Sequence, residues 1–217
     1  MEAIFQKHKE YFRQMDFIWS VLSGFLFLAL SLVINYTAGV YADKRASNAV
    51  TDIVLNNIPV FNVGWIFIYG SFALFTGIAV LMLSEPRWLP FTIKSIALFT
   101  VIRSFFITLT HLAPFPSQVL VASNFFLDKL TFGGDLFFSG HTGVPFLMAL
   151  IFWNFRRLRV AFIITSLIFG ASVLLGHLHY SIDVFAAYFI TYAIFHICRT
   201  TFSKDYKLFQ NGTYQTA

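Results

Sequence analysis

The chain has 217 residues, of which 58% are hydrophobic and only 12% are charged, and it contains 29 phenylalanines. This composition excludes an ordinary soluble domain and is typical of a polytopic membrane protein. The formal net charge is +5, but the basic residues stand in short clusters beside apolar runs, which indicates membrane topology and argues against nucleic-acid binding. A lone cysteine, Cys198, excludes an internal disulfide. We therefore predict a single membrane-embedded domain with no nucleic-acid partner.

The first sixteen residues are polar and lack the pattern of a cleaved secretory signal. The basic stretch from Lys7 to Arg13 predicts a helix that lies on the cytoplasmic surface of an anionic leaflet. We therefore assign residues 1–16 to a cytoplasmic interfacial segment, 17–199 to the membrane domain and 200–217 to a cytoplasmic tail.

Six apolar runs of spanning or near-spanning length follow along the chain. Each predicts a helix, because a helix satisfies its own backbone hydrogen bonds in lipid. The fourth run is short and opens at Ser139, so its start is expected at the interface or in a water-filled cavity within the protein. The sequence thus predicts an all-α bundle of six transmembrane helices, at about 17–36, 63–83, 91–110, 140–155, 160–178 and 180–199.

Lysine and arginine counts in the loops predict the orientation. With the N-terminus inside, the inner segments hold eleven basic residues, whereas the outer loops hold three, Lys44, Arg45 and Lys129. The positive-inside rule therefore predicts that both termini are cytoplasmic. The short chain without an appended soluble domain favours a bacterial plasma membrane over a Golgi or eukaryotic plasma membrane.

Two polar strings interrupt the apolar sequence, GGDLFFSGHT at residues 133–142 and HYSIDVFAAY at residues 179–188. They carry His141, His179 and Asp183. A charged side chain at the centre of a bilayer costs about 2.5 to 3.5 kcal/mol, so an ionisable residue in such a position indicates a functional site.

The predicted topology brings these residues to one depth. The fourth helix starts at the outer face with His141, and the fifth helix returns to that face just before His179. Arg103 lies about two turns below the outer end of the third helix. We therefore predict that three separate segments converge at a site on the non-cytoplasmic face.

The residue types suit phosphoryl transfer. His179 and Asp183 are four residues apart, so on a helix the carboxylate would orient the imidazole and leave its other nitrogen free to attack. Ser139 is a candidate N-cap, Gly140 permits close approach of the backbone, and the free amides of the first helical turn suit phosphate. His141 is a candidate general acid and base. The structural alternatives are a buried His-Asp pair that only ties helices together and a histidine that only caps a helix.

Arg103 is the lone arginine well inside an apolar run, and its planar fork suits phosphate oxygens. The alternatives for it are snorkelling to the outer interface and pairing with Asp135. Asp135 is a candidate supporting residue, which would orient a histidine or Arg103, or cap the loop. Metal binding by His177, His179, Asp183 and Asp135 is disfavoured, because histidines two apart point away from each other on a helix. We predict no metal and no other cofactor.

The two strings, together with Arg103-Ser104, resemble the sphingomyelin synthase-related branch of the type 2 phosphatidic acid phosphatase superfamily over about residues 100–195. This resemblance implies a six-helix membrane enzyme in which His179 is the nucleophile, Asp183 orients it and His141 serves the leaving and entering oxygens. It also implies a phosphohistidine-type intermediate and no metal requirement.

Departures from the superfamily pattern bear on the choice between a phosphatase and a phosphotransferase. Typical phosphatases of the superfamily carry a Lys-x6-Arg-Pro clamp, a proline before Ser-Gly-His and a Ser-Arg pair ahead of the second histidine. Here the clamp is missing, Phe138 replaces the proline and Val173 follows Ser172. The proline-rich motif of animal sphingomyelin synthases is reduced to Asn57-Ile58-Pro59-Val60.

We therefore expect a lipid phosphotransferase that moves a phospho-head group from a glycerophospholipid to a lipid alcohol such as ceramide or diacylglycerol. The alternatives are a lipid phosphate phosphatase that uses water as acceptor and a non-catalytic membrane scaffold or transporter. The sequence leaves the head group, the acceptor and the oligomeric state open.

Overall fold

The computed structural model describes residues 2–119 and 136–212, with side chains from residue 5 onward. The prediction of an all-helical chain is confirmed over these ranges. A π-helical segment, Ile66–Gly70, leads directly into α3, and a 3-10 turn, Pro86–Trp88, leads into α4. Within the described residues, the α-helices are α1 (Glu2–Tyr11), α2 (Met15–Arg45), α3 (Ser71–Ser84), α4 (Leu89–Leu109), α5 (Gly140–Ile151), α6 (Arg156–Leu175), α7 (Ser181–Thr201) and α8 (Ser203–Asn211).

Among the described residues, five helical stretches are long and apolar enough to cross a membrane: Met15–Arg45, Ile66–Ser84, Pro86–Leu109, Arg156–Leu175 and Ser181–Thr201. They indicate a multi-pass membrane protein. Helix α5 has 12 residues. Its length of about 18 Å is shorter than a hydrocarbon core of about 30 Å. The count of six membrane crossings therefore remains a prediction, and α5 corresponds to the run that the sequence already marks as short.

Contacts at one end of the bundle bring together the two ends of the described chain. Lys7 Nζ on α1 lies 2.7 Å from Glu85 Oε2, just before α4. The hydroxyl of Tyr11 donates to the carbonyl of Gly212, after α8, at 2.8 Å. We call this the terminal end. Both ends of the described chain therefore lie at one end of the bundle, which agrees with the predicted topology, while the orientation in the membrane remains a prediction.

The opposite end, which we call the loop end, holds residues 46–65, 110–119 and 176–180. Helix α5 starts at the loop end and reaches the terminal end, where Phe152 packs against Trp88 with 5.0 Å between ring centroids. The helices from α2 to α7 therefore alternate in direction between the two ends.

Helix α5 packs between α4, α6 and α7 at unusually short distances. A Cβ at Gly143 would lie 2.6 Å from Cζ of Phe99 on α4 and 3.0 Å from Oγ1 of Thr191 on α7. On the third side, the Ser166 hydroxyl of α6 donates to the carbonyl of Thr142 at 2.7 Å. Since glycine at 143 lets both neighbours approach, the start of α5 is held in the interior of the bundle.

Candidate active site

The first polar string folds into the N-terminal turn of α5. Ser139 is the N-cap residue, and its Oγ accepts from the backbone amide of Thr142 at 3.4 Å. Ser139 is fully buried, and Gly140 and His141 follow as the first two residues of the helix. The first turn of α5 therefore opens into the protein, with Ser139 as the cap that its sequence position predicts.

Arg103 reaches the same turn from α4. Its Nε donates to the carbonyl of Phe138 at 2.8 Å, and the residue is 9% exposed. A Cβ at Gly140 would lie 3.3 Å from that nitrogen, so the guanidinium rests against the first residue of α5. Arg103 therefore points into the bundle instead of snorkelling, and glycine at 140 leaves room for it.

His179 and Asp183 come together, but not on one helix. Helix α7 begins at Ser181, so His179 lies in the turn before it. Nδ1 of His179 is nevertheless 3.5 Å from Oδ2 of Asp183. The same Oδ2 accepts from the backbone amide of Tyr180 at 2.9 Å, and this bond folds the turn back over the first turn of α7. The predicted pair thus forms through a helix-capping contact, and not through helical periodicity.

The two polar strings meet directly. The backbone amide of Ser139 donates to the carbonyl of Asp183 at 3.1 Å. Arg103 and His179 both lie within electrostatic reach of His141. The structure therefore brings together Arg103, Ser139, Gly140, His141, His179 and Asp183, whereas Asp135 lies outside the described residues.

Two aromatic rings enclose the imidazole of His141. Phe67 stacks on it with 3.9 Å between centroids, and Phe169 of α6 meets it edge-on at 5.9 Å. Phe67 belongs to the π-helical segment Ile66–Gly70, and such segments are frequent at functional sites. A Cβ at Gly70 would lie 2.8 Å from the Phe169 ring, so glycine there permits this packing. Neither phenylalanine stands out in the sequence, because nothing local distinguishes it from the other members of so large a set.

Asp52 in the loop before α3 binds the start of α7. Its Oδ2 accepts from the backbone amide of Ser181 at 2.7 Å, and its Oδ1 accepts from the amides of Val54 and Leu55 at 2.8 and 3.1 Å. Burial raises the pKa of Asp52, but the hydrogen bonds from Leu55, Ser181 and Val54 outweigh it and hold the pKa below its ordinary value. The sequence gives only an indirect sign of this contact. Tyrosine at position 180 is a poor N-cap, so the first amides of α7 need an acceptor from elsewhere in the chain.

His177 bonds to the segment that follows α4. Its Nδ1 lies 2.7 Å from Oγ of Ser117, and its backbone has a positive φ of 54°. Within residues 2–119 and 136–212, no group of three or more His, Cys, Asp or Glu side chains is arranged to hold a metal ion. The guanidinium of Arg103 and the imidazoles of His141 and His179 lie near one another beside the N-terminal turn of α5, an arrangement that suits an anion.

The model of the family described as PAP2 superfamily C-terminal matches residues 133–200. This stretch contains both polar strings and the helices α5 and α6 with most of α7. No curated protein and no solved structure matches the chain. The family match supports the type 2 phosphatidic acid phosphatase superfamily and an enzyme with lipid phosphatase-like activity.

Proposed function

We propose that the protein is an integral membrane phosphotransferase that moves a phospho-head group from a glycerophospholipid to a lipid alcohol such as ceramide or diacylglycerol. The observation that carries the proposal is the convergence of Arg103 from α4, His141 from α5 and the His179–Asp183 pair from the start of α7. Such a cluster suits phosphoryl chemistry, because it offers a nucleophile, a proton carrier and fixed positive charge in one place.

In the first half-reaction, a nitrogen of His179 attacks the phosphorus of the donor lipid. A bond forms between that nitrogen and phosphorus, and the bond from phosphorus to the diacylglycerol oxygen breaks. Asp183 holds the Nδ1 proton and so leaves Nε2 as the attacking atom. His141 donates a proton to the leaving oxygen, so diacylglycerol departs as a neutral alcohol.

In the second half-reaction, the hydroxyl of the acceptor attacks the phosphohistidine. His141, now unprotonated, removes the hydroxyl proton, and the bond between phosphorus and His179 breaks. The product is the acceptor with the phospho-head group attached, and both histidines return to their starting state. Arg103 and the amides at the start of α5 stabilise the phosphate oxygens in both steps, and Ser139 and Gly140 hold that turn open to them.

An apolar environment around His141 favours a lipid alcohol over water as acceptor. Phe67 and Phe169 cover the imidazole on two sides, so the acceptor hydroxyl arrives next to aromatic surface. The position before Ser139 is also aromatic: Phe138 is fully buried and packs against Phe99 with 5.4 Å between centroids. The absent phosphatase clamp points the same way. A lipid phosphate phosphatase with the same residues and water as acceptor is the second candidate, favoured by the family match alone.

We further propose that the site opens to the non-cytoplasmic face and that residues 1–16 lie at the cytoplasmic interface. The basic residues predicted to be cytoplasmic include Lys7, Lys94 and Lys204, and Lys7 and Lys94 bind partners at the terminal end of the bundle. The candidate site lies at the loop end. The proposed host membrane is a bacterial plasma membrane, with a Golgi or eukaryotic plasma membrane as the alternative.

The test uses purified full-length protein in mixed micelles with phospholipids labelled in the phospho-head group, with and without ceramide or diacylglycerol. Transfer that requires the alcohol is the expected result. Release of inorganic phosphate from labelled phosphatidic acid without an alcohol would establish the phosphatase instead. Absence of both transfer and phosphate release across a panel of donor lipids would overturn both functions.

Variants of two histidines locate the chemistry. His179→Ala is expected to abolish both transfer and the trapping of label on the protein. His196→Ala is the matched control, because His196 lies exposed on α7, about four turns after the start of that helix. Full activity of His179→Ala would show that the nucleophile is another residue.

A further inference from the structure

Helix α7 lacks a capping hydrogen bond to the side chain of its N-cap residue. Its N-cap residue is Tyr180, whereas an ordinary cap is Ser, Thr, Asp or Asn, whose short side chain accepts from the first amides of the helix. The Tyr180 ring cannot fold back in that way. The first backbone amides of α7, which have no acceptor within the helix, therefore need other partners.

Two carboxylates supply them. Oδ2 of Asp183, from within the helix, accepts from the amide of Tyr180 at 2.9 Å. Oδ2 of Asp52, which is 129 residues before Ser181 in the chain, accepts from the amide of Ser181 at 2.7 Å. These two amides belong to the residues that directly follow His179, so both carboxylates act on the segment that carries the proposed nucleophile.

The loop around Asp52 also holds the side chain of Tyr180. The Tyr180 hydroxyl accepts from the backbone amide of Val50 at 3.2 Å and donates to the carbonyl of Ala113 at 2.9 Å. Asp52 is 7% exposed, and its second oxygen is occupied by the amides of Val54 and Leu55. The loop is therefore folded around the carboxylate, which is presented to α7 in a fixed position.

We infer that Asp52 is a positioning residue for the His179–Asp183 pair, and this inference rests on the proposed function. By binding the Ser181 amide, Asp52 keeps the first turn of α7 closed. Asp183 can then reach back to Tyr180 and meet His179 from one fixed direction. Without Asp52 the turn frays, and the distance from Nδ1 of His179 to Asp183 varies.

A role in proton transfer does not fit Asp52. Three backbone amides already donate to its two oxygens, and these bonds favour the charged carboxylate. The hydrogen bonds that hold the pKa of Asp52 below its ordinary value despite burial keep it ionised at neutral pH. Asp52 therefore acts through the backbone of α7 and not on the reacting atoms.

The experiment compares Asp52→Ala and Asp52→Asn in the full-length protein. Asp52→Ala is expected to lower kcat and the rate of label trapping by about ten- to hundredfold, because small displacements of a reacting group have effects of this size. KM for the phospholipid should change by less than about threefold, since substrate contacts are retained. Asp52→Asn keeps an oxygen acceptor and should recover part of the lost rate.

A matched control separates positioning from stability. Glu85→Gln removes the charge of a different carboxylate, which lies at the terminal end of the bundle. Glu85 pairs there with Lys7 and Arg87. This substitution should lower thermal stability with kcat unchanged. If Asp52→Ala lowers kcat no more than Glu85→Gln does, the inference is overturned.

A spectroscopic measurement of His179 tests the inference independently of enzyme activity. With 15N-labelled histidine, the signal of His179 is identified among those of the six histidines as the one that is missing in His179→Ala. Wild type should show one ring tautomer, with the proton on Nδ1, and Asp52→Ala should show a mixture. If wild type neither transfers nor traps label, the proposed function fails. In that event an unchanged His179 signal in Asp52→Ala and Asp52→Asn also overturns the inference, whereas a changed one supports the structural coupling.

Discussion

The backbone amide of Ser139 donates to the backbone carbonyl of Asp183 at 3.1 Å. This hydrogen bond joins the N-cap of α5 to the first turn of α7, so the proposed phosphate-binding turn and the proposed nucleophile pair form one hydrogen-bonded unit. Because the bond uses only backbone atoms, the side chains at both positions remain available for other contacts. Two variants at position 139 can therefore separate the role of the backbone from that of the side chain.

Ser139→Ala removes the capping hydroxyl but keeps the amide, whereas Ser139→Pro removes both. Ser139 has a φ of −60°, which proline also adopts. Loss of the cap should lower the free energy of unfolding by about 1 kcal/mol. Proline should cost about 1 kcal/mol more and lower the transfer rate further, since the Asp183 carbonyl loses its partner. Thermal unfolding and transfer assays measure both effects, and equal behaviour of the two variants would show that the amide contributes nothing.

Gly140→Ala should lower activity with little change in stability. The added methyl group would lie 3.3 Å from Nε of Arg103 and so displaces the guanidinium. We expect a fall in kcat/KM of about tenfold. The free energy of unfolding should change by less than about 1 kcal/mol, because the helix preference of alanine and the displacement of Arg103 act in opposite directions. Gly77→Ala is the control, since a Cβ there meets nothing within 4 Å. Unchanged activity of Gly140→Ala would show that the position of Arg103 is unimportant.

Phe67→Leu tests the aromatic contact on His141. Leucine keeps much of the apolar volume but loses a stacked ring that contributes about 0.5 to 1.5 kcal/mol. A freer imidazole transfers protons less efficiently, so kcat should fall by up to about tenfold with little change in KM. Phe72→Leu on α3, where the side chain is 60% exposed, should have no effect. Kinetics that do not differ between these two variants would contradict a role for Phe67.

Asp205→Asn should destabilise the protein and spare the chemistry. Asp205 of α8 lies 2.7 Å from Nζ of Lys94 on α4, and both side chains are largely buried at the terminal end. Removing one partner of a buried ion pair costs about 3 to 5 kcal/mol, because the other charge stays buried without compensation. Thermal unfolding should show this loss, whereas Lys94→Met with Asp205→Leu should restore much of it. Loss of kcat in the folded Asp205→Asn variant would instead indicate coupling to the distant site.

Acid should destabilise the protein partly through Asp52. Its pKa is lower in the folded protein than in the unfolded chain, because hydrogen bonds from Leu55, Ser181 and Val54 outweigh the effect of burial. The ionised group therefore stabilises the fold above the unfolded pKa, and this contribution is lost as pH falls through the folded pKa. The melting temperature of wild type should fall more steeply than that of Asp52→Asn in this acidic range. Parallel curves would show that Asp52 has no linkage to folding.

The sequence pattern predicted the helices and the candidate site residues, but it predicted the geometry of the site only in part. The apolar runs predicted the helices because hydrophobic length and backbone satisfaction are properties of each segment alone. The His179–Asp183 spacing predicted a pair, yet the helix starts after His179, and a capping contact brings the two side chains together. Helix boundaries depend on which amides find partners, and this is a matter of local turn geometry that spacing does not reveal.

By itself, the sequence determined that this is a helical membrane protein with two histidines, an aspartate and an arginine in apolar surroundings. The tertiary structure alone decided that Arg103 lies against Gly140, that Phe67 and Phe169 enclose His141, and that Asp52 holds the start of α7. The reason is physical. Periodicity and spacing report free energies within one segment, whereas these contacts join segments far apart in the chain and depend on how closely the helices pack.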